Sequence, residues 1–203
     1  MKITIRHIIL PLAGSLIIST LTACVGINKP QYNTTVYDLG LSVPSEGNQQ
    51  ITSKILLEKP FAAESLNHNK IRYRLNYQSP LRVFFYTESR WIATPSELFA
   101  SKLNTLVILN NNPMNCSLKL KIETFDHVFQ NATDSEGIVQ LSALLVEKKS
   151  QKIISSQLIT ESAPASTPNA QGGVAALQKA SENALKKAIS WGNTTAESSL
   201  LCQ

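Results

Sequence analysis

The sequence lacks every ready-made catalytic signature that a short pattern can reveal. It has no G-x-S-x-G elbow, no H-E-x-x-H, no glycine-rich phosphate loop and no C-x-x-C pair. Histidine is scarce, three in 203 residues, and His7 falls in the leading segment, which leaves His68 and His127. His127 adjoins Asp126, but neighbouring residues of a strand point to opposite faces, so the pair reads as structural rather than as a metal site or general base. Asp134 and Glu136 fall in an expected turn, where carboxylates are usually solvated. These absences exclude the common hydrolase, kinase and metalloprotease designs, and no catalytic residue, cofactor or metal is expected.

Charge is also sparse, at 16% of residues, and its excess is small. Formal net charge is +5; without Lys2 and Arg6 the 17 remaining basic residues face 14 acids, giving +3. That is too little to argue for a nucleic-acid partner. At 43% apolar residues the chain is rich enough in hydrophobes to fold, and 203 residues suit one domain with a real core. Only one long apolar run exists, at residues 8–21, and it follows Lys2 and Arg6 with no acid between. Pro11 and Gly14 interrupt it, and it falls short of the roughly 20 residues that span a bilayer. It reads as an export signal.

The end of that run is more specific. Leu21-Thr22-Ala23-Cys24 resembles the bacterial lipobox, which implies cleavage before Cys24 and acylation of its thiol and new amine. Three acyl chains would hold the mature protein on a membrane, since two lipid signals already suffice. Val25, rather than Asp, at the next position implies the outer membrane by the resemblance to enterobacterial sorting rules. The expected division is residues 1–23 as signal, 24–35 as lipidated tether and 36–203 as the domain. If lipid occupies Cys24, Cys116 and Cys202 remain as an even pair in an oxidising compartment, either bonded to each other or left as two free thiols.

Periodicity supplies the elements. A brief strand at 36–39 ends at Gly40, residues 44–50 form a loop, and 51–57 read as a second strand closed by Pro60. Ile71, Tyr73 and Leu75 alternate with Arg72 and Arg74, which predicts a strand with a wet arginine face, and 81–86 supply its hairpin partner. Thr94-Pro95-Ser96-Glu97 is a capping box with proline at the first helical position, opening a helix that runs towards Asn110. Three strands in a meander follow: the first around Leu118 to Ile122, the second along Val139 to Leu145, the third at 153–159. A connector at 161–169 leads to a helix from Gly172 whose apolar face includes Val174, Leu177, Leu185 and Ile189 and which closes at Trp191. The fold class expected is α/β in the α+β sense: a compact domain with a mixed, largely antiparallel sheet and helices on one side. Arg72, Arg74, Arg82 and Arg90 interleave with Tyr73, Tyr77, Phe84, Phe85, Tyr86 and Trp91, which fits either a solvated sheet face or a protein-binding surface.

Three blocks extend the reading. "YDLG" at 37–40, "IRYRLNYQSPLRVFFYTESRWIATPSELFASKL" at 71–103 and "FDHVFQNATDSEGIVQLSALL" at 125–145 stand in an order and spacing that resemble the ABC-type transport auxiliary lipoproteins, the PqiC-like family. The resemblance implies a non-enzymatic component of phospholipid trafficking. Its partners would be an MCE-type periplasmic lipid-transfer protein and its ABC transporter, with a homo-oligomer matching a ring as the corresponding assembly. Arg90 and Trp91 are the candidates for docking or structure, with structure the favoured role for Trp91. The competing function is a lipoprotein chaperone or assembly factor for another envelope machine. The closing "SSLLCQ" matches nothing general in that family.

Overall fold

The computed structural model describes residues 33–40 and 50–203. The expected signal, Cys24, the tether as far as residue 32 and the loop at 44–49 lie outside the described residues.

Along the chain, strand β1 (Thr35–Tyr37) is followed by β2 (Ile51–Ser53), β3 (Leu56–Leu57), β4 (Phe61–Ala62) and a 3-10 turn at Glu64–Leu66. Then come β5 (Lys70–Leu75), β6 (Phe84–Trp91), helix α1 (Pro95–Leu106), β7 (Val107–Leu109), the long strands β8 (Cys116–Phe129), β9 (Ser135–Glu147) and β10 (Ile153–Pro164), and helix α2 (Ala170–Glu197). The main sheet is ordered β1-β6-β5-β8-β9-β10, with β3 and β4 pairing β8 on the side where β5 continues the row. A separate two-stranded ribbon joins β2 to β7. The α+β class and the meander β8-β9-β10 agree with the sequence pattern, and so does the antiparallel hairpin β5-β6.

The core lies between the sheet and the two helices. Leu118, Leu120 and Ile122 of β8 and Val139, Leu141 and Leu145 of β9 are buried on that side, because alternation sends every second residue there. Helix α2 answers with Leu177, Leu185 and Ile189, and with a stripe of Ala176, Ala180, Ala184 and Ala188, four residues apart. Small residues at that spacing let the helix lie close to the sheet. At the closest approach a Cβ on Gly137 of β9 would stand 2.5 Å from the backbone nitrogen of Leu177. Helix α1 starts with the capping box expected of Thr94 and Glu97. Its Lys102, buried, lies 3.8 Å from Glu182 of α2 and donates to the Leu39 carbonyl at 3.3 Å.

Several boundaries differ from the sequence expectation, each for a physical reason. Residues 51–57 are two strands in two sheets, because Ser53 turns the chain by accepting and donating around Ile55. Helix α1 stops at Leu106: Val107 and Ile108, β-branched, pair in parallel with Ile51 and Thr52 instead of extending the helix. Strand β6 begins at Phe84 and runs through Trp91. Strand β10 continues to Pro164, so the connector is shorter, and β9 starts at Ser135, which puts Glu136 in a strand rather than the turn. Helix α2 passes straight through Gly192, where a Cβ would meet Ile55 Cδ1 at 2.8 Å; glycine serves close packing there, not termination. Cys116 and Cys202 form a disulfide, resolving the pair left open by the sequence. It ties the tail after α2 to the first residue of β8, and Asn115 N–H donates to the Cys202 carbonyl at 2.7 Å beside it.

Candidate functional site

The sequence put Arg90 and Trp91 together as docking candidates; the strand separates them. Trp91 is 1% exposed, stacks on Phe125 at 5.0 Å between ring centres, and Phe125 in turn meets Phe99 edge-on at 5.5 Å. Trp91 is therefore a core residue: of its two readings the structural one fits, and its place among the docking candidates is corrected. Its neighbour Arg90 points the other way and is exposed.

Around Arg90 the sheet margin forms an open cleft of about 400 Å³. Strand β1 contributes its threshold: Thr34 lines the cleft, and Val36, 43% exposed, is the parallel partner of Arg90. Strand β5 contributes Lys70, the antiparallel partner of Arg90 across the ladder. Phe85, 40% exposed, lies beneath the Lys70 ammonium, 5.1 Å from its ring centre, and takes the His68 ring edge-on at 5.2 Å. Like charges directly opposite one another on a sheet are unfavourable. Among the described residues no carboxylate lines the cleft, and neither Lys70 nor Arg90 has an acidic partner at ion-pair distance. The His68 imidazole is held below its usual pKa by burial first and by the Arg72 charge next, so it adds no third cation near neutrality. The site is thus a doubly cationic hollow with an aromatic floor, suited to an anion bearing apolar substituents.

The other arginines of the block do not form the wet face that alternation suggested. Arg72 and Arg74 converge on Asp126 of β8, which is fully buried. Arg72 Nε lies 2.8 Å from Oδ1, and Arg74 Nε lies 2.5 Å from Oδ2. The guanidinium groups also reach the carbonyls of Ser65 and Pro80, so this cluster fastens the 3-10 turn and the β5-β6 loop to the sheet. Arg82 covers the Phe84 ring at 4.5 Å. Asp126 and His127 do diverge as expected. His127 turns to the helix side, where Tyr86 Oη is 2.8 Å from Nδ1. Burial pulls the His127 pKa down to about 4 and pushes the Tyr86 phenol well above its usual range. Both groups stay neutral, and a Cβ on Gly173 would stand 2.3 Å from His127 Nδ1. The pair is packing with a hydrogen bond inside it.

A second hollow, about 550 Å³, lies between α1 and the β3-β4 segment, walled by Leu56, Leu103, Val107 and Leu109 with Glu58 and Lys59 at its lip. Among the described residues no group of His, Cys, Asp or Glu side chains could hold a metal ion, and no helix is long and apolar enough to cross a membrane. The sequence singled out Arg90 but missed Lys70 and Thr34. Lys70 carries a signal in retrospect, as the residue just before an alternating strand; its pairing with Arg90 depends on a register irregularity that no local pattern announces.

No family model and no curated protein matches the sequence. Solved structures do. A Xanthomonas campestris protein described by the DUF330 family model superposes with a TM-score of 0.65, at 17% identity, over 81% of this chain and 98% of its own. An uncharacterized protein superposes with a TM-score of 0.53, at 12% identity, over 78% of this chain and 99% of its own. A Neisseria meningitidis lipoprotein aligns over 69% of this chain and 98% of its own at 14% identity, but at a TM-score of 0.29 the correspondence carries no argument. The architecture built above from strand alternation and helix packing is similar to that of the DUF330 protein over most of the chain.

Proposed function

We propose that this protein is a lipid-anchored, non-enzymatic component of an MCE-type lipid-transport system, held at the outer membrane of a Gram-negative envelope and facing the periplasm. There its domain docks the periplasmic lipid-transfer tunnel served by an ABC transporter. The observation that carries the reading is the placement of a lipobox cysteine eleven positions (35 minus 24) before the first strand. Such a leash reaches about 35 Å at full extension, so the domain works against the membrane surface rather than free in the periplasm. The likeness in fold to the DUF330 protein, over 98% of that protein's chain, supports a domain built as one unit. In the Tyr86–His127 pair, the nearest thing to acid–base chemistry among the described residues, the histidine is fully buried and the tyrosine partly so.

The test is photocrosslinking in intact cells from both margins of the sheet, positions 87, 88 and 90 beside the cleft and positions 149 and 152 at the β9-β10 turn, followed by identification of the captured proteins. Recovery of an MCE-domain protein or an ABC-transporter subunit is the expected result. Consistent capture of the folding substrates of another outer-membrane machine, with no transport component, would replace this reading by that of an assembly factor.

A further inference from the structure

The cleft at Arg90 lies where the chain enters the fold. Thr34, one residue before β1, forms part of its wall, so the cleft sits at the root of the segment that leads back to Cys24. An anchor at the far end of so short a segment keeps this margin of the sheet within about 35 Å of the bilayer. The margin is furnished for that position. Lys70 and Arg90 face each other across the ladder with no acid among the described residues that line the cleft, and Val36 and Phe85 are exposed beside them. Cations with long apolar stems around exposed aromatic and aliphatic side chains match the headgroup layer, where the charge meets phosphate and the ring meets the upper acyl region. An anion between Lys70 and Arg90 would also relieve the like-charge pairing that the ladder enforces.

We propose that this cleft is a membrane-contact site that takes the phosphate of anionic phospholipids in the leaflet holding the anchor. The contact orients the domain, turning the opposite edge of the sheet, where β10 ends the strand order, away from the bilayer. The inference rests on the anchored reading of Cys24, and its test keeps the two apart. Lys70 is itself the probe, because its amine is exposed and acylation of it can be followed by mass spectrometry.

The full-length lipidated protein is reconstituted in phosphatidylcholine vesicles with and without phosphatidylglycerol and treated with a water-soluble amine-acylating reagent. Lys149 and Lys152, exposed at the β9-β10 turn, serve as internal standards. Labelling of Lys70 should slow severalfold in the phosphatidylglycerol vesicles while the standards do not change, and added salt should abolish the difference. Arg90→Ala should reduce that protection by about fivefold, the worth of one cation near an anionic surface. Equal labelling of Lys70 in the two vesicle types, in protein that floats with both, overturns the site and leaves the anchor standing. Protection by inorganic phosphate as strong as that by phosphatidylglycerol overturns it as well, by making the cleft a general anion trap. Protein that fails to float with phosphatidylcholine vesicles refutes the anchor; flotation on phosphatidylglycerol vesicles would then still uphold the cleft, and its absence would end both.

Discussion

Replacing Cys116 and Cys202 together by alanine should cost this domain a large share of its stability, and the way it does so is informative. The bond closes a loop of 86 residues. In the chain-entropy relation, with that loop length, the cross-link removes about 15 cal/mol/K from the unfolded ensemble, or about 4 to 5 kcal/mol at room temperature. Ordinary domains are stable by about 5 to 15 kcal/mol, so the loss is between a third and nearly all of the total. Both sulfurs are fully buried, so a small packing loss adds to it. The assay is equilibrium unfolding in urea followed by the fluorescence of the buried Trp91, comparing the oxidised protein, the double alanine variant and the reduced protein. The midpoint should fall and the urea slope should rise, because an unfolded chain freed of its cross-link exposes more surface. If the bond merely pinned the tail after α2, the slope would not move and the loss would stay below about 1 kcal/mol, as for ordinary surface changes. That result would refute the argument from loop closure.

Other consequences follow from the packing and the charges. Gly137→Ala would force α2 away from β9, because its Cβ has only 2.5 Å to the Leu177 backbone; a loss of about 2 to 3 kcal/mol in urea unfolding is expected, against little change for alanine at an exposed position. Asp126→Ala leaves Arg72 and Arg74 without their shared carboxylate and should cost about 3 to 5 kcal/mol, with Asp126→Asn in between, as read by thermal and urea unfolding. His127, with its pKa lowered from 6.5 to about 4 by burial, refuses a proton that the unfolded chain accepts. Its contribution is whole above pH 6.5 and is lost as pH falls towards 4, about 3 kcal/mol in all. A urea-stability profile that stays flat across that window, or a His127 resonance titrating at its ordinary value, would contradict it. The Glu147 carboxylate is lowered to about 2 by the Ser150 hydroxyl and the Ser150 and Lys149 amides, so its contribution disappears only below pH 4.5 and does not blur the histidine window.

Much of this fold was legible because its parts obey local rules. The capping box at Thr94 and Glu97 named a helix start to the residue, and strict alternation in β8 and β9 named both the strands and their buried face. What stayed hidden depends on contacts far apart in sequence. Gly192 carries a helix-stop signal locally, yet Ile55 occupies the space a side chain would need, and packing decided the matter. Arg72 and Arg74 read as solvent-facing because alternation cannot show that a buried carboxylate waits on β8, 52 residues beyond Arg74. The same limit applied to the candidate site. Arg90 stood out by its composition, Trp91 beside it stood between docking and the favoured structural role, and only the strand's two faces parted them. Lys70 joined Arg90 through a shifted register, and the disulfide through the return of the tail to β8.

The chain leading into β1 offers the most direct measurement, because the proposed function and the membrane contact both begin with what is attached to Cys24. Intact-mass and peptide mass spectrometry of the mature protein, extracted from cell membranes, should find Cys24 as the first residue, carrying a thioether-linked diacylglyceryl group and an N-acyl chain, and Cys24→Ser should leave an unprocessed, unacylated precursor. A mature protein that begins elsewhere, or one in which Cys24 is free of lipid, would contradict the account.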